Sequence, residues 1–285
     1  MMKTSAEGGK EFPLIKEVNA DRILRALILF GQTPLNRDSQ RDAILSLYSD
    51  KEEKSVFRGM VIPSFRKLGF LQGWEDMISL SANGLLIAEA GGISHDFGMR
   101  ALRAVLLEKD REYLSVVEAQ VHGETTTADL FAKLGSKIAA PSEIQGKERL
   151  KRWVALLAES GLMKRAGEKI SIEESVLKVA QTDLDSKGKS HGFLELIFQT
   201  YREIVREQRQ VDVVDIADLR CRVAVHYCKK TSILTERQFD ELLRTIPITT
   251  EQYLISFGKP MGPEEQLFEL NGRYYRTLSV RVLGR

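Results

Sequence analysis

The sequence predicts a mainly helical α+β protein built from three consecutive units, each a small helical bundle that ends in a short β-ribbon. Two observations lead to this prediction. Apolar residues make up 43 % of the 285-residue chain and recur at helical spacing, which is enough material for several cores. A short pattern near Gly69 also occurs again near Gly161, in the same context after an amphipathic helix.

The repeated pattern is a glycine followed by a short apolar strand, a polar turn and a second strand. Gly69 precedes Ile78 at the same spacing at which Gly161 precedes Ile170, and a looser copy without glycine runs from Ile246 to Ile255. Glycine adopts the left-handed conformation at a helix C-terminus at little cost, so each glycine predicts a helix end. The alternative is coincidence, since helices followed by strand pairs occur in many α+β folds.

Helix, short strand, turn and return strand are the final elements of a winged helix-turn-helix, and the three units resemble the winged-helix superfamily at this level. The resemblance implies three winged-helix domains, at 13–94, 95–182 and 190–285, after a flexible tail at 1–12. The third has the longest wing. Linkers are expected at 91–94, which holds two glycines, and in the polar stretch 182–190.

Helical periodicity predicts the helices within each unit, and capping residues mark some of their starts. The predicted helices are 20–30 and 37–48; then 99–107, 113–121, 126–134 and one from about Ser142; then 193–208, 214–228 and 235–245. Ser142 with Gln145, and Thr235 with Gln238, match capping boxes. In the third unit, strands 252–258 and 266–271 are expected to pair, and Asn271 with the next glycine predicts a hairpin into 273–283.

The resemblance also implies a DNA-binding surface, because winged helices that bind DNA place their third helix in the major groove and their wing on the backbone. The second unit fits this use best. Its third helix and wing carry Lys147, Arg149, Lys151, Arg152, Lys164, Arg165 and Lys169. The alternative is a solvated face whose cations only keep the protein soluble.

The other two units are weaker candidates for DNA contact. The first unit offers Arg58, Arg66 and Lys67. Pro63 interrupts that segment, and the wing after it is acidic. In the third unit, Glu236, Asp240 and Glu241 on the third helix would meet phosphates poorly, so a protein partner is expected there.

No catalytic or metal-binding motif is present, so we expect no enzyme activity, no cofactor and no metal. The histidines are scattered, and Cys221 and Cys228 lack the paired spacing of a zinc site. There is no phosphate-binding loop, dinucleotide motif or nucleophile elbow. Glu52 and Lys54 match part of a nuclease motif but lie in a polar helical context, which leaves a metal-dependent nuclease with an unusual site as an open alternative.

Charge and composition set the class of protein. With 42 basic and 40 acidic residues the net charge is +2, which argues against a non-specific coat on nucleic acid. Few cysteines, no membrane-length apolar run and no signal peptide predict a cytoplasmic protein without a membrane partner.

The predicted function is non-enzymatic binding of double-stranded DNA, in transcription control or in prokaryotic restriction or phage defence. These roles are suggested by an architectural likeness to the DNA-recognition portion of certain type IIS restriction endonucleases, without their nuclease domain. The alternative is a protein adaptor in a DNA-processing or chromosome-organising complex, which would bind its partner through the third unit.

Overall fold

The computed structural model describes residues 12–32, 37–73, 78–113, 115–119, 123–138, 140–185, 192–208, 212–259 and 267–283. These residues are mainly helical with small antiparallel sheets, which confirms the predicted α+β class. None of the helices described is long and apolar enough to cross a bilayer. The predicted acidic wing tip of the first unit lies at 74–77, outside the described residues.

The helices are short to medium in length and run through all three units. They are α1 (Ala20–Gln32), α2 (Arg37–Leu47), α3 (Val61–Lys67), α4 (Ala82–Ile93), α5 (His95–Tyr113), α6 (Val116–Ala119), α7 (Thr127–Leu134), α8 (Glu143–Glu159), α9 (Glu174–Asp185), α10 (Phe193–Gln208), α11 (Ile216–Lys229) and α12 (Glu236–Thr245). A π-helical turn precedes α3, at Ser55–Gly59, and a 3-10 turn follows α7, at Gly135–Lys137.

The strands are short and all pair antiparallel. They are β1 (Leu71–Gln72), β2 (Ser79–Leu80), β3 (Thr125–Thr126), β4 (Met163–Ala166), β5 (Lys169–Ile172), β6 (Val214–Asp215), β7 (Tyr253–Gly258), β8 (Phe268–Leu270), β9 (Arg273–Tyr275) and β10 (Thr277–Val282). β1 pairs with β2 and β8 with β9, whereas two three-stranded sheets have the orders β3-β5-β4 and β6-β10-β7.

The repeated glycines mark helix ends, as predicted. Gly69 and Gly161 have φ angles of 71° and 84°, in the left-handed region that suits glycine. The ribbons that follow have equivalent registers, with Leu71 opposite Leu80 and Met163 opposite Ile172. In the third unit α12 ends at Thr245, as predicted, and β7 begins at Tyr253, one residue after the predicted start at 252.

The long wing of the third unit pairs differently from the prediction. β7 does not pair with the strand at 268–270; its partner is β10, with Ile255 opposite Val280. β8 and β9 instead form their own hairpin across Asn271 and Gly272, which confirms the predicted tight turn. The prediction paired β7 with the strand that follows it in the sequence. In the structure β7 pairs with β10, because β10 offers a six-residue ladder and β8 spans only three residues.

Several helix bounds differ from the prediction for local reasons. The helix predicted at 99–107 extends from His95 to Tyr113, and of the helix predicted at 113–121 the residues Val116–Ala119 form α6, whereas 114, 120 and 121 lie outside the described residues. α11 begins at Ile216 and not at 214, because Val214 pairs in β6 and the Asp215 side chain caps α11 by accepting from the Ala217 N–H at 2.8 Å. Pro63 lies in the first turn of α3, where its missing N–H costs no helical hydrogen bond.

α4 lies at the centre of the fold. The sequence predicted a linker at 91–94, but residues 91–93 are the last turn of this helix. Gly91 and Gly92 belong to this helix, which packs against α1, α5 and α11, and only Ser94 separates it from α5. A Cβ on Gly91 would lie 2.7 Å from Ile28 Cδ1, and one on Gly98 would lie 2.7 Å from Gly91 Cα. Gly91 and Gly98 therefore serve close helix packing and not chain flexibility.

The apolar core joins the units. One buried cluster runs from Phe12 to Ala180, through the first two units, and includes Cys228 and Ile233 of the third. A second cluster, from Phe193 to Leu278, belongs to the third unit. The division into three domains stays a prediction, but the first two units share one core.

The predicted flexible tail and the predicted linker at 182–190 each carry a buried residue. Phe12, placed in the flexible tail, packs edge-on against the rings of Tyr113 and Trp153, at centroid distances of 5.8 and 6.0 Å, so any tail must end before it. In the predicted linker, 182–185 is part of α9, and buried Asp183 accepts from Arg100 Nε at 2.7 Å. The rest of that linker, 186–190, lies outside the described residues.

Candidate functional site

α8, the helix that precedes the β4–β5 hairpin of the second unit, is fixed by its buried face. Its buried residues are Gly146, Leu150, Trp153, Val154, Leu156 and Leu157. Ser142 caps its start by accepting from the Gln145 N–H at 3.3 Å, which is half of the predicted capping box. Trp153 Nε1 donates to buried Asp110 Oδ1 at 2.8 Å, and burial raises the pKa of Asp110 to about 6. These contacts hold one face of α8 inward and leave the other in solvent.

The outward face of α8 carries three of the predicted cations. Lys147 forms an ion pair with Glu143 at 2.6 Å, and its Nζ lies 5.3 Å from the centroid of a phenyl ring. Arg152 pairs with Glu148 at 2.8 Å. Lys151 is exposed and has no partner among the residues that the structure describes. Lys151 is therefore the cation of this face that is open to an external anion.

The β4–β5 hairpin adds the other predicted cations beside α8, which packs against β4. Lys164 pairs with Glu173, and Lys169 pairs with Glu124 at 2.8 Å. Arg165 Nε donates to the backbone oxygen of Gly167 at 3.1 Å. Exposed pairs of this kind contribute only about 0–1 kcal/mol, so exchange of a carboxylate for a phosphate costs little.

Arg149 has a structural contact that its sequence position did not reveal. Its Nη1 donates to the backbone oxygen of Phe12 at 2.5 Å, and the side chain is partly buried. The guanidinium thus joins α8 to the segment in front of α1. A DNA contact from Arg149, as the sequence predicts, would have to share this group with Phe12.

The cations predicted in the first unit lie on α3 and the π-helical turn before it, and not on α8 or its hairpin. Arg58 is exposed on the π-helical turn, and Lys67 Nζ lies 3.5 Å from the backbone oxygen of Leu14. Arg66 lines a polar cleft of about 760 Å³, whose opposite wall is α12 of the third unit. The described lining of this cleft includes no residue of α8.

The acidic residues of α12 have partners within the chain. Arg220 of α11 is 1 % exposed, and its Nε and Nη2 donate to the two oxygens of Asp240 at 2.7 Å each. Its Nη1 lies 3.5 Å from Glu236. Arg220 is not among the residues predicted from the sequence, although a signal for it exists: it shares a helix face with the buried residues Ile216 and Val223.

The start of α12 is also covered, by α4 and α5. Thr235 Oγ1 donates to buried Glu108 at 2.6 Å, and the Glu236 N–H donates to Asn83 Oδ1 at 2.9 Å. The predicted capping box of Thr235 and Gln238 is present in full. α12 therefore cannot insert its N-terminal turn into a DNA groove while the third unit is docked in this way.

Glu108 is expected to make stability depend on pH. Burial raises its pKa from 4.5 to about 7, against the hydrogen bond from Thr235. Between these values the unfolded chain has lost the proton that the folded chain keeps, so stability falls as pH rises from about 4.5 to 7. Glu108→Gln removes this titration and keeps an acceptor oxygen. We expect the variant to gain stability relative to wild type over that range, by at most about 3 kcal/mol.

The measurement is urea unfolding of both proteins between pH 4.5 and 8. Titrations of other carboxyls, including Asp110, occur in both proteins and cancel in the difference. Two stability curves that stay parallel over the whole range would contradict the expectation.

Comparison with protein-family models, with curated proteins and with solved structures gave no match for this chain. Within the described ranges, no group of three or more His, Cys, Asp or Glu side chains is placed to hold a metal ion. Function must therefore be inferred from the geometry of α8 and its hairpin.

Proposed function

We propose that the protein is a non-enzymatic, winged-helix protein that binds double-stranded DNA, with α8 in the major groove and the β4–β5 hairpin against the backbone. The observation that carries this proposal is the exposed basic face of α8 directly beside a basic hairpin. Lysine and arginine on these two elements match the two surfaces that a groove and its phosphate edge present. Transcription control and phage defence are the roles that we propose for such binding.

The order of elements supports the winged-helix part of the proposal. The second unit runs α5, α6, β3, α7, α8, β4, β5, α9, with the sheet order β3-β5-β4. The third runs α10, β6, α11, α12, β7, β8, β9, β10, with the equivalent order β6-β10-β7. Apart from α6, α9 and the β8–β9 hairpin, the two orders match. The first unit shares the ending of helix and ribbon. Two units with one topology, at different places in the chain, favour a common domain type.

Only one of the three third helices is proposed to contact DNA. Arg66 at the end of α3 faces the polar cleft, and α12 forms the other side of that cleft. Glu236 and Asp240 of α12 are paired with Arg220, and Glu241 is paired with Arg237, so the protein partner expected for this helix has less support than DNA for α8.

Charge reversal on the outward face tests the proposal. Lys151→Glu/Arg152→Glu is expected to weaken binding to a random-sequence duplex roughly 100-fold in low salt, since two cations that face the duplex become anions that it repels. The salt dependence of the remaining affinity should also be shallower by about one counterion, that of the phosphate contact from Arg152. Fluorescence polarisation over a salt series measures both quantities.

Lys178→Glu/Lys230→Glu is the matched control, because it makes the same change of charge at exposed lysines of α9 and at the end of α11. The DNA affinity of this control should stay within about threefold of wild type if the outward face of α8 is the contact. Equal losses in both double variants would show a general charge effect, and no measurable binding by the wild type would remove the proposal.

A further inference from the structure

Ile144 is the most exposed large apolar side chain in the described part of the chain, with 81 % of its surface open to solvent. It lies in the first turn of α8, between Glu143 and Gln145. Five other apolar residues of this helix are almost fully buried, among them Leu150 and Trp153. Ile144 therefore adds nothing to the core, and it is free to make an apolar contact on the proposed DNA-binding face.

The position of Ile144 around the helix shows which part of a groove it would meet. Successive residues of an α-helix are about 100° apart. Ile144, Glu148 and Lys151 consequently lie along the centre of the outward face, opposite Trp153. Lys147 and Arg152 lie on opposite flanks. A helix in the major groove points its central residues at base edges and its flanks at the two backbones.

We infer that Ile144 contacts the C5-methyl group of a pyrimidine in the major groove, an inference that rests on the proposed function. Base edges in that groove present hydrogen-bonding atoms and one apolar group, the thymine methyl, and 5-methylcytosine presents the same group at the same place. The isoleucine side chain has no polar atom, so the methyl is the feature it matches. Glu148 and Lys151, the other two residues at the centre of the outward face, suit polar base edges. Glu148 accepts from a cytosine amine, and Lys151 donates to guanine.

The test removes this methyl group alone. Duplexes that bind the wild-type chain are selected from a random library, and each thymine of the preferred duplex is replaced in turn by deoxyuridine, which lacks only the C5-methyl. One replacement is expected to weaken wild-type binding by about 3- to 10-fold, the effect of one buried methyl. Ile144→Ala is expected to bind the thymine and uracil forms equally at that position.

A second selection, from a library that carries 5-methylcytosine in place of cytosine, identifies the source of the methyl. If a 5-methylcytosine takes the sensitive position and its replacement by cytosine weakens binding, that base is a source. If only the thymine duplexes show the sensitivity, the source is thymine.

Val179→Ala is the matched control, because it also removes aliphatic carbons, from a residue of α9 that is 48 % exposed. It should keep the full dependence on the methyl group. The inference is overturned, with DNA binding intact, if no pyrimidine methyl matters or if Ile144→Ala keeps the wild-type dependence. A wild-type chain that selects no duplex overturns the proposed function and this inference together. An unchanged thermal midpoint verifies that Ile144→Ala is folded.

Discussion

Asp240→Ala is expected to lower the free energy of unfolding by about 3–5 kcal/mol, the usual cost of leaving a buried charge without its partner. Arg220 is 1 % exposed, and both of its bonds to Asp240 are 2.7 Å long. Without Asp240, the closest described carboxylate is that of Glu236, at 3.5 Å. Because arginine does not give up its proton in proteins, the charge stays buried and costs stability.

Glu241→Ala, on the same helix, is the control for Asp240→Ala. Glu241 pairs with Arg237 at 2.9 Å, and both side chains are at least half exposed. Removal of such a surface pair should change stability by less than about 0.5 kcal/mol. Urea unfolding followed by far-ultraviolet circular dichroism measures both variants. Similar stabilities for the two would mean that Arg220 reaches solvent or another acceptor.

Gly84→Ala is the second change with a large expected effect, a loss of about 3 kcal/mol. A Cβ at this position of α4 would lie 2.1 Å from the backbone oxygen of Phe70 and 3.1 Å from Leu80 Cδ2. The Phe70 oxygen also accepts from the Ser81 N–H at 2.9 Å. The clash is with backbone, so relief requires α4 to move away from the first ribbon.

Gly92→Ala, in the last turn of α4, gives the opposite result. A Cβ there meets no described atom within 4 Å, and alanine is the better helix former, so stability should rise by about 0.5–1 kcal/mol. Thermal unfolding of the two variants compares one substitution at two ends of one helix. Equal losses in both would show that α4 tolerates no alanine for a reason other than the contact with Phe70.

Local signals were enough to predict much of the fold. Gly69 and Gly161 end helices because few other residues adopt a positive φ angle cheaply, and Thr235 with Gln238 marks a helix start by side-chain chemistry alone. The exposed cations of α8 also followed from helical spacing. Each of these predictions depends on interactions between residues that are close in the chain.

Long-range contacts explain the errors. Gly91 indicated a linker because glycine weakens an isolated helix, whereas in the fold it lets α1 and α5 approach α4. The acidic character of α12 suggested an external partner, because no sequence pattern joins Asp240 to Arg220. Arg149 was predicted to contact DNA. Its hydrogen bond to Phe12 could not be predicted, because most of two units separate the two residues in the chain.

The central position of α4 has a mechanical consequence. A tandem array joined by flexible linkers can bend around a duplex and engage several sites in succession. Here α4 packs on helices from all three units, so the angle between α8 and the rest of the molecule is set by the packing itself. If the protein binds DNA as proposed, such a block would meet the duplex as a single unit, and its footprint would be limited to about one turn of the double helix.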